Sequence, residues 1–202
     1  MPHLEVLGSE LRKFEIDLPP EQKRTLARYC DELAHWNRKI NLTGLTGPDM
    51  VRRLVVEPVW IALQLKPHGV LVDIGSGNGS PAIPLHVVCN FRNAHLIEAR
   101  ARKAAFLRHV IAALKLPEVV IHRTRFETVV SELKPADWIS LQGVALDRPL
   151  IDSIKQIASV TTNIVWITSA AIETPIKPLH RLRVPFTETE VYTFRETNFV
   201  VT

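Results

Sequence analysis

The sequence predicts an α/β fold: a mostly parallel twisted sheet with helices on both faces, a C-terminal antiparallel hairpin and an N-terminal helical extension. Three observations predict it. Apolar runs at residues 70–74, 94–98, 119–122, 138–141 and 164–168 alternate with helical patterns at about 81–88, 100–116, 126–133 and 149–160. Strand–helix alternation at this spacing implies right-handed βαβ units, hence parallel strands. The first run leads straight into a glycine loop, Leu71-Val72-Asp73-Ile74-Gly75-Ser76-Gly77-Asn78-Gly79-Ser80. Residues 182–186 and 191–201 read as two strands with no helix between them, most simply a hairpin closing the sheet edge.

Ahead of the first strand, the pattern is helical. Leu26, Tyr29, Cys30, Leu33, Trp36 and Ile40 recur at helical spacing over residues 21–40, which gives an amphipathic helix with one buried stripe. Asn41-Leu42-Thr43-Gly44-Leu45 breaks it. Thr46-Gly47-Pro48-Asp49 reads as the N-terminal cap of a second helix over 49–65, which Pro58 bends or interrupts. At 202 residues the chain suits one α/β domain with a small appendage: a helical extension over 1–68 and a main domain over 69–202.

Composition narrows the class. The chain is 46% hydrophobic and 23% charged, ordinary for a soluble globular protein. Its apolar runs fall short of the ~18 residues expected for a membrane span, and charges at Glu5, Glu10, Arg12, Lys13 and Glu15 argue against a signal peptide. Cys30 and Cys89 are too few for a disulfide framework, lack metal-ligand spacing and read as small core residues. A cytoplasmic protein is expected. Residues 69–126 carry 8 Lys and Arg against 3 Asp and Glu, while the flanking segments are nearly balanced. A basic surface around the glycine loop suits a polyanionic partner, or is simply a solvated helix face.

The loop's spacing selects its ligand. A dinucleotide fingerprint requires G-x-G-x-x-G, but its third glycine position here is Ser80. A phosphate loop requires Gly-Lys-Ser/Thr, which is absent. An acid two residues before the first glycine adds like charge to a pyrophosphate and favours a ligand bearing an amino group. The second strand ends at Glu98, 21 residues after Gly77, where a carboxylate can bond both ribose hydroxyls. Asp73, the glycines and Glu98 together fit a nucleoside with a cationic amino-acid tail, of which S-adenosylmethionine is the obvious candidate. The loop N–H groups are expected to be free to bind it. The expected donor site comprises Asp73, Gly75, Ser76, Gly77, Gly79, Ser80, Glu98, Ala99, Phe126 and Glu127, with Phe126 and Glu127 at the adenine.

Trp36-Asn37-Arg38-Lys39-Ile40-Asn41-Leu42-Thr43 resembles the W-N-K-x-x-N-L-T signature of the RsmG (GidB) family, bacterial methyltransferases acting on small-subunit ribosomal RNA. The block from Val72 to Leu85 resembles that family's D-V-G-S-G-x-G-F-P-G-I-P-L. Lys103-Ala104-Ala105-Phe106-Leu107 resembles its K-R-x-x-F-L, and Arg125-Phe126-Glu127 its R-x-E. The resemblance implies a Rossmann-like class I methyltransferase that moves a methyl group to N7 of a guanine in 16S RNA by positioning alone, without a catalytic side chain. It implies a ribosomal RNA or subunit as partner. Arg38, Lys39, Asn41, Arg52, Arg53, Arg123 and Arg125 are candidate RNA contacts, with solvated side chains as the alternative for each, and a monomer is expected. Asn41 is also expected to hold its own turn through side-chain-to-backbone bonds. The sequence departs from the family pattern over Arg53 to Glu57 in R-H-x-x-D-S, where the histidine and aspartate are not plainly present, at Leu141 in I-S-R, at Ser80 and near Ser169. A methyltransferase with another RNA or small-molecule acceptor, or an RNA-binding module that has lost catalysis, stays open on these departures.

Overall fold

Each apolar run becomes a strand of one sheet. The computed structural model describes residues 2–199. The strands are β1 (Val70–Ile74), β2 (Asn93–Ile97), β3 (Val119–His122), β4 (Trp138–Gln142), β5 (Asn163–Thr168), β6 (His180–Arg183) and β7 (Glu190–Arg195). Their order is β3-β2-β1-β4-β5-β7-β6. The first five run parallel, whereas β7 lies antiparallel to both β5 and β6.

The closing hairpin is present, but its second strand is the inner one. β7 is buried along all but its last residue, while His-Arg-Leu-Arg of β6 is mostly exposed. An edge strand carrying cations resists pairing with other chains, so the polar strand takes the outer place. Phe186, expected in a strand, instead sits in the hairpin turn at φ 62°. β7 gives way to a 3₁₀ turn over Glu196–Phe199; positions 200 and 201 of the expected strand lie outside the described residues.

Helices cover both faces. α1 (His3–Lys13), α2 (Pro20–Asn37), α3 (Gly47–Val51) and α4 (Glu57–Leu65) precede the sheet. α5 (Ala82–Cys89), α6 (Ala101–Leu114), α7 (Phe126–Val129) and α8 (Arg148–Ile154) connect its strands. One core joins Leu7, Leu26, Leu33, Val59, Leu85, Phe106 and Leu107 to Leu71, Leu96 and Val165 on one sheet face. The other joins Val72, Ile74, Ile139, Leu141 and Ile164 to Phe126, Leu150 and Ile154. Period-two alternation divides the strand residues between these cores. Cys30 is buried and Cys89 half-buried against the first.

The helix expected over 49–65 is interrupted by a π turn at Arg52–Val56. The cause is Pro58, which donates no N–H and crowds the carbonyl four residues earlier, on Leu54. The Glu57 N–H reaches Arg52 O instead. Thr46 occupies the expected N-cap position, but its side chain makes no capping bond.

Candidate functional site

The order of the strands locates the site. β1 pairs with β2 on one side and β4 on the other, so the connections diverge there and leave a crevice beyond the strand C-termini. Gly75 takes φ 75° and Gly79 takes φ 96°, conformations that side chains rarely tolerate. A Cβ on Gly79 would stand 2.4 Å from Ile83 Cδ1, and one on Gly75 would stand 2.6 Å from Val144 Cγ2. The glycines therefore let the loop lie against α5 and against the segment after β4.

The loop N–H groups of Gly75, Ser76, Gly77, Gly79 and Ser80 are not free, contrary to the sequence expectation. Those of Gly75 and Ser76 donate to Ile97 O at 3.0 and 2.9 Å, and that of Gly79 to Ser76 O at 2.6 Å. Ser80 N–H donates to Asn78 Oδ1 at 3.0 Å, and Gly77 N–H to Glu98 Oε2 at 2.9 Å. The end of β2, Glu98 just after it and the loop itself consume most of the donors that a phosphate would need. This loop shapes a wall; it is not an anion nest.

Glu98 lies beneath the loop, 7% exposed. Its Oε2 takes the Gly77 N–H and its Oε1 takes the Arg100 N–H at 2.7 Å, so each oxygen retains accepting capacity toward the crevice. Asp73 is more deeply placed, 1% exposed. Its Oδ1 accepts from Ser140 Oγ at 2.6 Å across the β1–β4 register, while Oδ2 is buried with no hydrogen-bond partner among the described residues. Burial pushes the Asp73 carboxyl up to about 6, against the opposing pull of the Ser140 hydroxyl.

A cleft of about 750 Å³ opens over these groups, within the range of small-molecule sites. It brings together Gly75, Ser76, Gly77, Ser80, Glu98, Ala99, Phe126 and Glu127, all expected at a donor site, and also Arg125, expected at RNA. Asp73 and Gly79 stand behind its wall. Arg38, Lys39, Asn41 and Arg123 are exposed elsewhere. Arg52 pairs with Asp49 and Arg53 approaches the buried Glu57 at 3.7 Å.

Other lining residues were missed in the sequence. Leu42, Leu54, Asn78, Lys103 and Gln142 all face the cleft. Leu141, where the resemblance placed an arginine, is fully buried in the second core; the β4 side chain that reaches the cleft is Gln142. Strand alternation holds the signal, because Ser140 faces Asp73 and residue 142 must then share its side. Leu42 arrives by way of Asn37. The Asn37 side chain accepts from the N–H groups of Leu42 and Thr43 at 2.9 and 3.0 Å and donates to Thr43 O at 2.8 Å. The turn expected to be held by Asn41 is thus held by Asn37. Tyr29 OH donates to Asn78 O at 2.9 Å, which ties α2 to the glycine loop.

The chain is similar to proteins of known family and fold. The family model GidB, rRNA small subunit methyltransferase G, matches residues 22–190. A protein named ribosomal RNA small subunit methyltransferase G from Chloroflexus aggregans is 37% identical over 143 residues, which are 68% of this chain and 60% of that protein. Its namesake from Nitratidesulfovibrio vulgaris (strain DP4) is 33% identical over 161 residues, 75% of this chain and 74% of that protein. Among solved structures, MtNAS in complex with MTA and tNA superposes with TM-score 0.56 at 16% identity, covering 95% of this chain and 70% of that one. The mitomycin 7-O-methyltransferase MmcR gives TM-score 0.57 at 16% identity, with 87% and 70% covered. At such identities the likeness is one of fold, the Rossmann-like fold of methyltransferases.

Proposed function

Because the chain belongs to the GidB family of rRNA small subunit methyltransferases, we infer that it transfers a methyl group from S-adenosylmethionine to N7 of a guanine in 16S ribosomal RNA, as a monomer in the cytoplasm. The observation that carries this reading is the clasp of Glu98 on the Gly77 N–H. It sets a carboxylate with accepting capacity to spare at the floor of a cleft whose loop offers few donors to a phosphate.

The residues present fit this donor. Glu98 would take the ribose hydroxyls, and Phe126, Glu127 and Ala99 would enclose the adenine. Gly75, Ser76, Gly77 and Ser80 would border the amino-acid end, with Gly79 shaping the loop and Asp73 supplying negative charge behind it. The donor supplies a methyl carbon already activated by a sulfonium. Guanine N7 carries a lone pair and no proton, so no general base is needed. The N7 lone pair forms the new N–C bond as the S–C pair returns to sulfur, and positive charge passes to the guanine ring. The protein's task is to hold donor and acceptor in line and exclude water. Residues 1–68, helical throughout their regular elements, form the extension that carries Arg38, Lys39, Asn41, Arg52 and Arg53 toward RNA. Residues 69–202 form the donor domain, with Arg123 and Arg125 at its rim.

Incubation with methyl-labelled donor and undermethylated small subunits should label a single guanine, and Glu98→Ala should weaken donor affinity at least tenfold, since a hydrogen bond to a charged group contributes about 1.5–3 kcal/mol. Absence of label on both subunits and naked RNA would overturn the activity.

A further inference from the structure

Gln142, at the end of β4, lines the cleft opposite Glu98. Ser80 Oγ donates to its Oε1 at 3.2 Å. Ser80 is itself 7% exposed and fixed through its backbone N–H, which donates to Asn78 Oδ1. Oε1 accepts from Ser80, and the amide N–H groups make no hydrogen bond among the described residues, which leaves them for an acceptor in the cleft. Glu98 and Phe126 belong to the β2 and β3 side of the crevice, and Gln142 to the β4 side, with the glycine loop between them. If the nucleoside half of the donor lies toward Glu98, its methyl lies toward β4, where the acceptor must enter.

We propose that Gln142, oriented by Ser80, is the specificity-determining contact to the acceptor base and donates to guanine O6 beside the methylated N7. This assignment rests on the guanine-N7 reading above. The two purines differ at that edge: guanine offers an O6 acceptor and adenine an amino donor. An amide N–H meets the first and opposes the second. It also leaves the N7 lone pair free. A neutral donor suits this position because the ring gains positive charge as the methyl arrives, and a cation there would raise the barrier.

The test compares RNA substrates carrying guanine, inosine or 2-aminopurine at the labelled position. Inosine keeps O6; 2-aminopurine lacks it. Wild-type kcat/KM should be similar for guanine and inosine and fall about tenfold or more for 2-aminopurine, as expected for a lost hydrogen bond in a site built to make it. Gln142→Ala should lose about tenfold on guanine and show a correspondingly smaller penalty for 2-aminopurine. Gln142→Glu, which replaces donors by acceptors, should lose more on guanine than Gln142→Ala. Both variants should keep the wild-type melting transition, which separates this role from a folding defect. Undiminished discrimination in Gln142→Ala, or equal losses on guanine and 2-aminopurine, would overturn the assignment while leaving the methylation reading intact. Failure of the wild-type chain to label any RNA would overturn both.

Discussion

Asp73 costs the folded chain stability at neutral pH. Burial raises its carboxyl from 3.8 to about 6, so the folded state holds the proton more tightly than the unfolded one. The contribution is therefore fully present below pH 4 and is lost as pH rises through about 6. Two units correspond to about 3 kcal/mol. Asp73→Asn keeps an acceptor for Ser140 and removes the charge. At pH 7.5 it should unfold at higher denaturant concentration than wild type, by up to this amount, with the difference shrinking as pH falls from 6 to 4. Its affinity for S-adenosylmethionine should fall, because the charge behind the loop complements a cationic donor. A variant that gains stability and loses binding would place Asp73 among residues kept for function at the expense of stability. Urea melts at several pH values, paired with calorimetry, read both effects.

At the scale of elements, the segment between α2 and α3 behaves as part of the cleft. Asn37 closes its turn with three bonds to backbone, and the turn delivers Leu42 to the cleft wall. Asn37→Ala should cost about 1–3 kcal/mol, the range for leaving partly buried polar groups unpaired, and should also weaken donor binding. Asn41→Ala, at an exposed position, should change stability by less than about 0.5 kcal/mol. Thermal melts and donor titrations of the two variants separate the roles of these neighbouring asparagines. The π turn Arg52–Val56 acts in the same way, since it brings Leu54 to the cleft. Here Pro58 was legible as an interruption, because proline's missing donor is a property of one residue. Which asparagine holds the turn was not legible, because two stand four residues apart and only the path of the backbone chooses between them.

At the scale of the whole molecule, the basic excess of residues 69–126 should read out as a steep salt dependence of RNA affinity. For single-stranded RNA each phosphate neutralised contributes about −0.7 to the slope of log K against log salt. Arg123→Ala should flatten the slope by about that amount and leave donor affinity unchanged, whereas Arg125→Ala, on the cleft wall, should affect both. Filter binding over a salt series gives the first quantity and calorimetry the second; an unchanged slope would remove Arg123 from the interface. The sequence by itself determined the strands, the glycine loop and the two acids that flank it. Buried parallel strands are continuous apolar runs, and positive-φ turns need glycine, so both leave local marks. Only the tertiary structure decided that β7 enters the sheet inside β6, and that Ile97 O and the Glu98 carboxylate take the N–H groups of Gly75, Ser76 and Gly77. Each of these depends on which strand lies beside which, and pairings between distant segments are set by packing and register, which no local pattern of residues records.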